Sequence, residues 1–128
     1  MKKIWLLLLI PFLLSTQCEE DIVPYGYETG YILENRSGTD LYLKTQDNTF
    51  VEVKSQAKLT LGTTLNSNTQ AIAPSDSYLF TGINLYQSEN ENFILVYSQD
   101  PIDDAVWGFM EPEENRYEYT LTVTDNDL

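Results

Sequence analysis

The sequence contains no histidine. That removes the commonest general base and a leading metal ligand, and with them any Ser-His-Asp or Cys-His arrangement. Cys18 is the only cysteine, so an internal disulfide is excluded and a structural zinc site has no ligand set. None of the six glycines belongs to a phosphate-binding loop motif. Basic residues are scarce, with seven Lys and Arg against 20 Asp and Glu. Long helical patterns are missing as well, since no window keeps apolar residues at helical spacing.

What is present begins with an asymmetric amino terminus. Lys2-Lys3 forms a positive n-region, and Ile4 to Leu14 is an apolar run interrupted by Pro11. At ~1.5 Å per residue that run is too short to cross a ~30 Å hydrocarbon core, so it reads as a secretory signal. Every acidic residue lies beyond position 18. Removal of residues 1–17 leaves five basic residues against 20 acidic ones, a net charge of −15. Such a surface repels nucleic acid and anionic lipid headgroups, and neither is expected as its partner.

Leu13-Leu14-Ser15-Thr16-Gln17-Cys18 resembles the lipobox of bacterial lipoproteins, with Ser15 and Gln17 departing from its commonest residues. The resemblance implies cleavage before Cys18 and lipidation of its thiol. Two or three acyl chains, at ~0.8 kcal/mol per buried CH₂, give stable membrane anchoring. The following Glu19-Glu20-Asp21 resembles the export signal by which Bacteroidota lipoproteins reach the outer face of the outer membrane. The alternative is the start of a solvated linker. Taken whole, the chain resembles small Bacteroidota lipoproteins, a likeness that carries over no functional residue beyond Cys18.

The remainder reads as one domain. Nine Tyr, four Phe after the leader and Trp107 are too many aromatics for a disordered acidic chain. The expected division is a leader at 1–17, lipidated Cys18 with an acidic tether at 18–29, and an all-β domain at 30–128. In Tyr117 to Thr124 the residues Tyr117, Tyr119, Leu121 and Val123 share one face, which is the signature of a half-buried strand. Shorter alternations occur in Asp40 to Lys44, Val51 to Lys54 and Lys58 to Leu61. Tyr78 to Tyr86 reads as a longer strand with a bulge or bend at Gly82. Phe93 to Tyr97 is apolar at every position and is expected to be covered on both faces. Clusters of turn formers separate these segments, so the expected fold is a single small antiparallel β-sandwich, Ig-like or related.

Carboxylates and aromatics are the remaining candidates for chemistry. Asp100-Pro101-Ile102-Asp103-Asp104 and Asp125-Asn126-Asp127 can gather oxygen ligands for Ca²⁺, but neither has EF-hand spacing. So acidic a chain contains such clusters by composition, and no metal or cofactor is expected. Glycoside hydrolysis needs two carboxyls ~5–9.5 Å apart across a cleft, for which this domain has little room. Trp107, Phe109, Tyr25, Tyr27 and Tyr42 can form a sugar-stacking platform or an interaction patch, with Trp107 expected in the core instead. Asn35-Arg36-Ser37 has the N-glycosylation pattern, a frequent chance occurrence.

The expected function is therefore non-enzymatic. It is a membrane-anchored binding or interaction module, surface-exposed on the outer membrane through lipid on Cys18, with a protein or glycan ligand. A structural accessory subunit of an envelope complex is the alternative, and a small hydrolase the third.

Overall fold

A computed structural model describes residues 26–67 and 70–128. Cys18, the leader expected at 1–17 and Tyr25 lie outside the described residues. Eight strands form two four-stranded sheets. The first holds β4 (Lys58–Asn66), β1 (Tyr27–Asn35), β8 (Arg116–Val123) and β7 (Trp107–Glu113), in that order. The second holds β3 (Phe50–Val53), β2 (Leu41–Lys44), β5 (Ile83–Glu89) and β6 (Asn92–Gln99). The chain is all-β, a small sandwich, and no described helix is long and apolar enough to cross a membrane.

Pairing is antiparallel except between β1 and β8, which run parallel in one register from Glu28↔Arg116 to Asn35↔Val123. The first and last described strands are thus neighbours at the centre of the sheet, and their long-range pairing joins its two halves. β1 begins at Tyr27, three residues before the domain start expected at Gly30. The reason is burial: Thr29 is fully enclosed, and its Oγ1 accepts a 3.2 Å hydrogen bond from Ile72 N.

The core lies between the sheets. Alternation in β1 turns Tyr31 and Leu33 inward, and β8 adds Leu121 and Val123. From the opposite sheet come Leu41, Leu43, Val53, Ile83 and Leu85. Burying each of these side chains contributes roughly 1.5–3 kcal/mol. Trp107 is in the core as expected, stacked on Phe80 at 5.7 Å, and its Nε1 donates to Gln99 Oε1 at 3.1 Å. A buried indole N–H needs such a partner.

Two expected strands take a different form. Tyr78 to Tyr86 is a strand only from Ile83, because the segment before it carries the chain from one sheet to the other and places Phe80 in the core. Gly82 marks that entry: a Cβ there would stand 2.9 Å from Gln99 O. Gly62 plays a similar part in β4, at φ +150° beside a register shift opposite Tyr31/Ile32, with Leu79 packed against it. The apolar run in β6 is not covered on both faces. Phe93, Ile94 and Leu95 are 44%, 43% and 50% exposed, because β6 is an edge strand and the β5–β6 hairpin is open towards its tip.

Candidate binding face

Strand alternation sorts the second sheet into an inner and an outer face. Leu41 and Leu43 of β2 point inward, so Tyr42 and Lys44 point outward. In β3, Val53 is buried and Phe50 is exposed. Tyr86 is the register partner of Tyr42, and Leu95 is the partner of Tyr86. Four short strands thereby bring Tyr42, Phe50, Tyr86, Phe93 and Leu95 to one side.

The rings form a connected cluster. Phe50 and Phe93 stack at 4.1 Å with an interplanar angle of 12°. Tyr42 meets Phe93 at 5.1 Å and Phe50 meets Tyr86 at 5.3 Å, both edge to face. Such pairs contribute about 0.5–1.5 kcal/mol each beyond area burial. Phe50 and Phe93 nevertheless keep 37% and 44% of their surface in water. A contiguous exposed apolar patch of this kind is the usual mark of a contact surface.

A polar groove of about 330 Å³ adjoins the cluster at Tyr86. Lys44, Gln46 and Asn48 come from the end of β2 and its turn, Asn84 from β5, and Asp100 from the end of β6. Asn48 holds that turn by taking φ 63°, a left-handed conformation that asparagine tolerates better than most residues. The Asn84 Oδ1 accepts from Ser98 Oγ at 2.7 Å, and Gln46 Nε2 donates to Leu79 O at 3.3 Å.

No family model matches the chain, and no curated protein or solved structure does either. Of the aromatics singled out in the sequence, Tyr42 belongs to this face, whereas Trp107 is in the core. Phe109 and Tyr27 flank Tyr117 in the other sheet, at 5.9 and 6.4 Å. The expected platform is therefore dispersed, and the residues that do assemble include Phe50, Tyr86 and Phe93, which sequence reasoning did not select. Their signal was legible in part: inward Val51 and Val53 oblige Phe50 to face outward.

The acidic clusters serve the fold. Asp103 Oδ1 accepts from Ala105 N at 3.0 Å, while Asp104 accepts from Ser75 N and Oγ at 2.8 and 2.5 Å. Asp125 Oδ1 accepts from Gly38 N at 2.9 Å, and Asp127 Oδ2 from Thr124 N and Oγ1 at 2.8 and 3.1 Å. No group of three or more acidic or thiol side chains poised for a metal occurs among the described residues. Asn35 of the glycosylation pattern has no exposed surface.

Proposed function

We propose that this chain is a lipoprotein, tethered through lipid on Cys18 and displayed on the outer membrane surface, whose β-domain is a non-enzymatic binding module. The outer face of β3-β2-β5-β6 is its contact surface. The observation carrying this reading is the half-exposed Phe50–Phe93 stack, buttressed by Tyr42 and Tyr86. Aromatic rings held rigid by their neighbours give contact area at low entropic cost. The lack of histidine and the structural use of Asp103, Asp104, Asp125 and Asp127 support a role without catalysis.

Two measurements test it. Intact mass and whole-cell protease shaving of the full-length protein beside Cys18→Ser address the anchor. A diacylglyceryl mass shift lost in the variant, with the domain digestible from outside, is expected; an unmodified wild type overturns the anchor. A glycan array, together with cross-linking on intact cells, then compares wild type with Phe50→Ser/Phe93→Ser. A ligand retained only by wild type is expected, and identical profiles overturn the assigned face.

One observation favours assembly as a second reading. Asn92–Gln99 carries no charge, and its outer edge pairs with no described strand. The other edge strands carry Lys58, Glu52, or Glu111 with Pro112 and Glu113, the usual devices against edge-to-edge pairing. A stable complex in gently solubilised membranes, dissociated by Leu95→Lys, would establish this role. A monomer under those conditions excludes it.

A further inference from the structure

We infer that the polar groove beside Tyr86 is a binding site for a neutral, polyhydroxylated ligand, a glycan chain of hexose or pentose units. This rests on the binding-face reading above and names its ligand class.

The groove is lined by both hydrogen-bond donors and acceptors. With its oxygen engaged by Ser98, Asn84 offers its amide N–H groups; with its nitrogen engaged by Leu79 O, Gln46 offers its oxygen. Asn48 brings both kinds, Asp100 a carboxylate and Lys44 an ammonium group. Neither Lys44 nor Asp100 is in an ion pair among the described residues. Tyr86 supplies an aromatic wall.

Other ligand classes fit this arrangement poorly. An apolar ligand would strip water from the polar side chains that line the groove and replace none of their hydrogen bonds, at about 1–3 kcal/mol for each group left unpaired. A polyanion would meet one ammonium group within a protein of net charge −15 after leader removal. A cation attracted to Asp100 would share the groove with the Lys44 ammonium group. A sugar hydroxyl donates and accepts at once, so vicinal diols match mixed amide, carboxylate and ammonium partners without any charge of their own. The apolar C–H face of the sugar ring suits the Tyr86 wall. At about 330 Å³ the groove is at the small end of ligand pockets, ~300–1,000 Å³, the scale of a mono- or disaccharide segment. A longer chain leaving it at Tyr86 would run onto Phe50 and Phe93.

The full-length protein, in a zwitterionic detergent that contains no sugar, is titrated calorimetrically with tetramers of glucose (β1,4 and α1,4), mannose and xylose. A galacturonic acid tetramer is the anionic control. Binding of at least one neutral tetramer is expected, weakened about tenfold or more by Asn84→Ala and by Asp100→Ala, and unchanged by Glu118→Gln on the opposite sheet. Asp100 is exposed and Asn84 half-buried, and far-ultraviolet circular dichroism confirms that each variant is folded. Failure of every neutral tetramer, binding of the acidic tetramer alone, or binding indifferent to both variants overturns the assignment. If no sugar binds while cell-surface capture still depends on Phe50 and Phe93, the binding face stands and the glycan falls; if neither is seen, both fall.

Discussion

Asn35 Nδ2 lies 2.9 Å from the carbonyl oxygen of Val53, joining the end of β1 in one sheet to the end of β3 in the other. The same amide nitrogen donates to Thr39 O at 2.8 Å, and Oδ1 accepts from Ser37 N and Oγ at 3.0 and 2.6 Å. Each polar atom of this fully buried side chain is satisfied. The segment that matches a glycosylation pattern is in fact the corner where the chain changes sheets.

Replacing Asn35 by Leu should therefore destabilise the domain by about 2–4 kcal/mol, because at least two buried groups lose their partners. Asn35→Asp should also destabilise, since a carboxylate oxygen would face the Val53 carbonyl. Urea unfolding followed by circular dichroism measures both, and an unchanged midpoint would show that the corner is held by something else.

The exposed rings predict a separation of fold from binding. Phe50→Ser/Phe93→Ser should cost about 1.5–4.5 kcal/mol over two residues, as both rings are half in water and lose their mutual stack and their edge-to-face contacts with Tyr42 and Tyr86. Leu85→Ala alone, at a fully buried position, should cost about 2–5 kcal/mol. Comparing the two unfolding midpoints checks the ranking per residue. A loss for the aromatic pair more than twice that of Leu85→Ala would mean that the cluster is structural.

The β5–β6 hairpin turns on Asn90 and Glu91, both with positive φ, at 50° and 66°. A two-residue turn of this type suits Asn at its first position but Gly at its second. Glu91→Gly should raise stability by about 0.5–1 kcal/mol, read as a higher urea midpoint. A lower midpoint would mean that the Glu91 side chain contributes a contact outweighing its backbone cost.

Titration should set limits at both ends of the pH range. The Arg36 guanidinium, donating to Glu34 Oε1 at 2.9 Å, holds the Glu34 carboxyl below its ordinary range. This contribution is full above the unfolded value of ~4.3 and is lost as pH falls through the depressed folded value. Arg36→Ala should flatten that acid limb, and the effect should be modest because Arg36 is largely solvated. Burial pushes the Tyr31 phenol up, and its hydroxyl donates to Ile72 O at 2.8 Å. The unfolded chain loses this proton first, so stability should decline as pH rises from ~10 towards the folded value. Tyr31→Phe should reduce that alkaline slope, to which the Tyr119 phenol, also pushed up by burial, contributes as well, while costing about 1–3 kcal/mol at neutral pH through the orphaned carbonyl. Stability measured from pH 3 to 11 in both variants tests the assignment.

Some of this was legible in the sequence because it depends on local period. Tyr117, Tyr119, Leu121 and Val123 share the inner face of β8, as two-residue alternation requires. The turn formers around Asn48, Asn90 and Asn115 mark real reversals, each with a left-handed residue. β1 was harder to see. Ile32 interrupts the polar–apolar alternation of Thr29 to Asn35, and its outward position depends on neighbours far along the chain.

By itself, the sequence determined the β class, the charge and the catalytic groups that are missing, since composition and period are properties of the chain alone. The tertiary structure decided which strands became edges. An apolar run such as Phe93 to Tyr97 is compatible with a covered centre or an open edge, and only strand order distinguishes them. It also decided which aromatics meet. Phe50 and Phe93 are 43 positions apart, and their 4.1 Å stack exists because β2 and β5 pair between them. Long-range register is set by the summed burial of both sheets, which no local window contains.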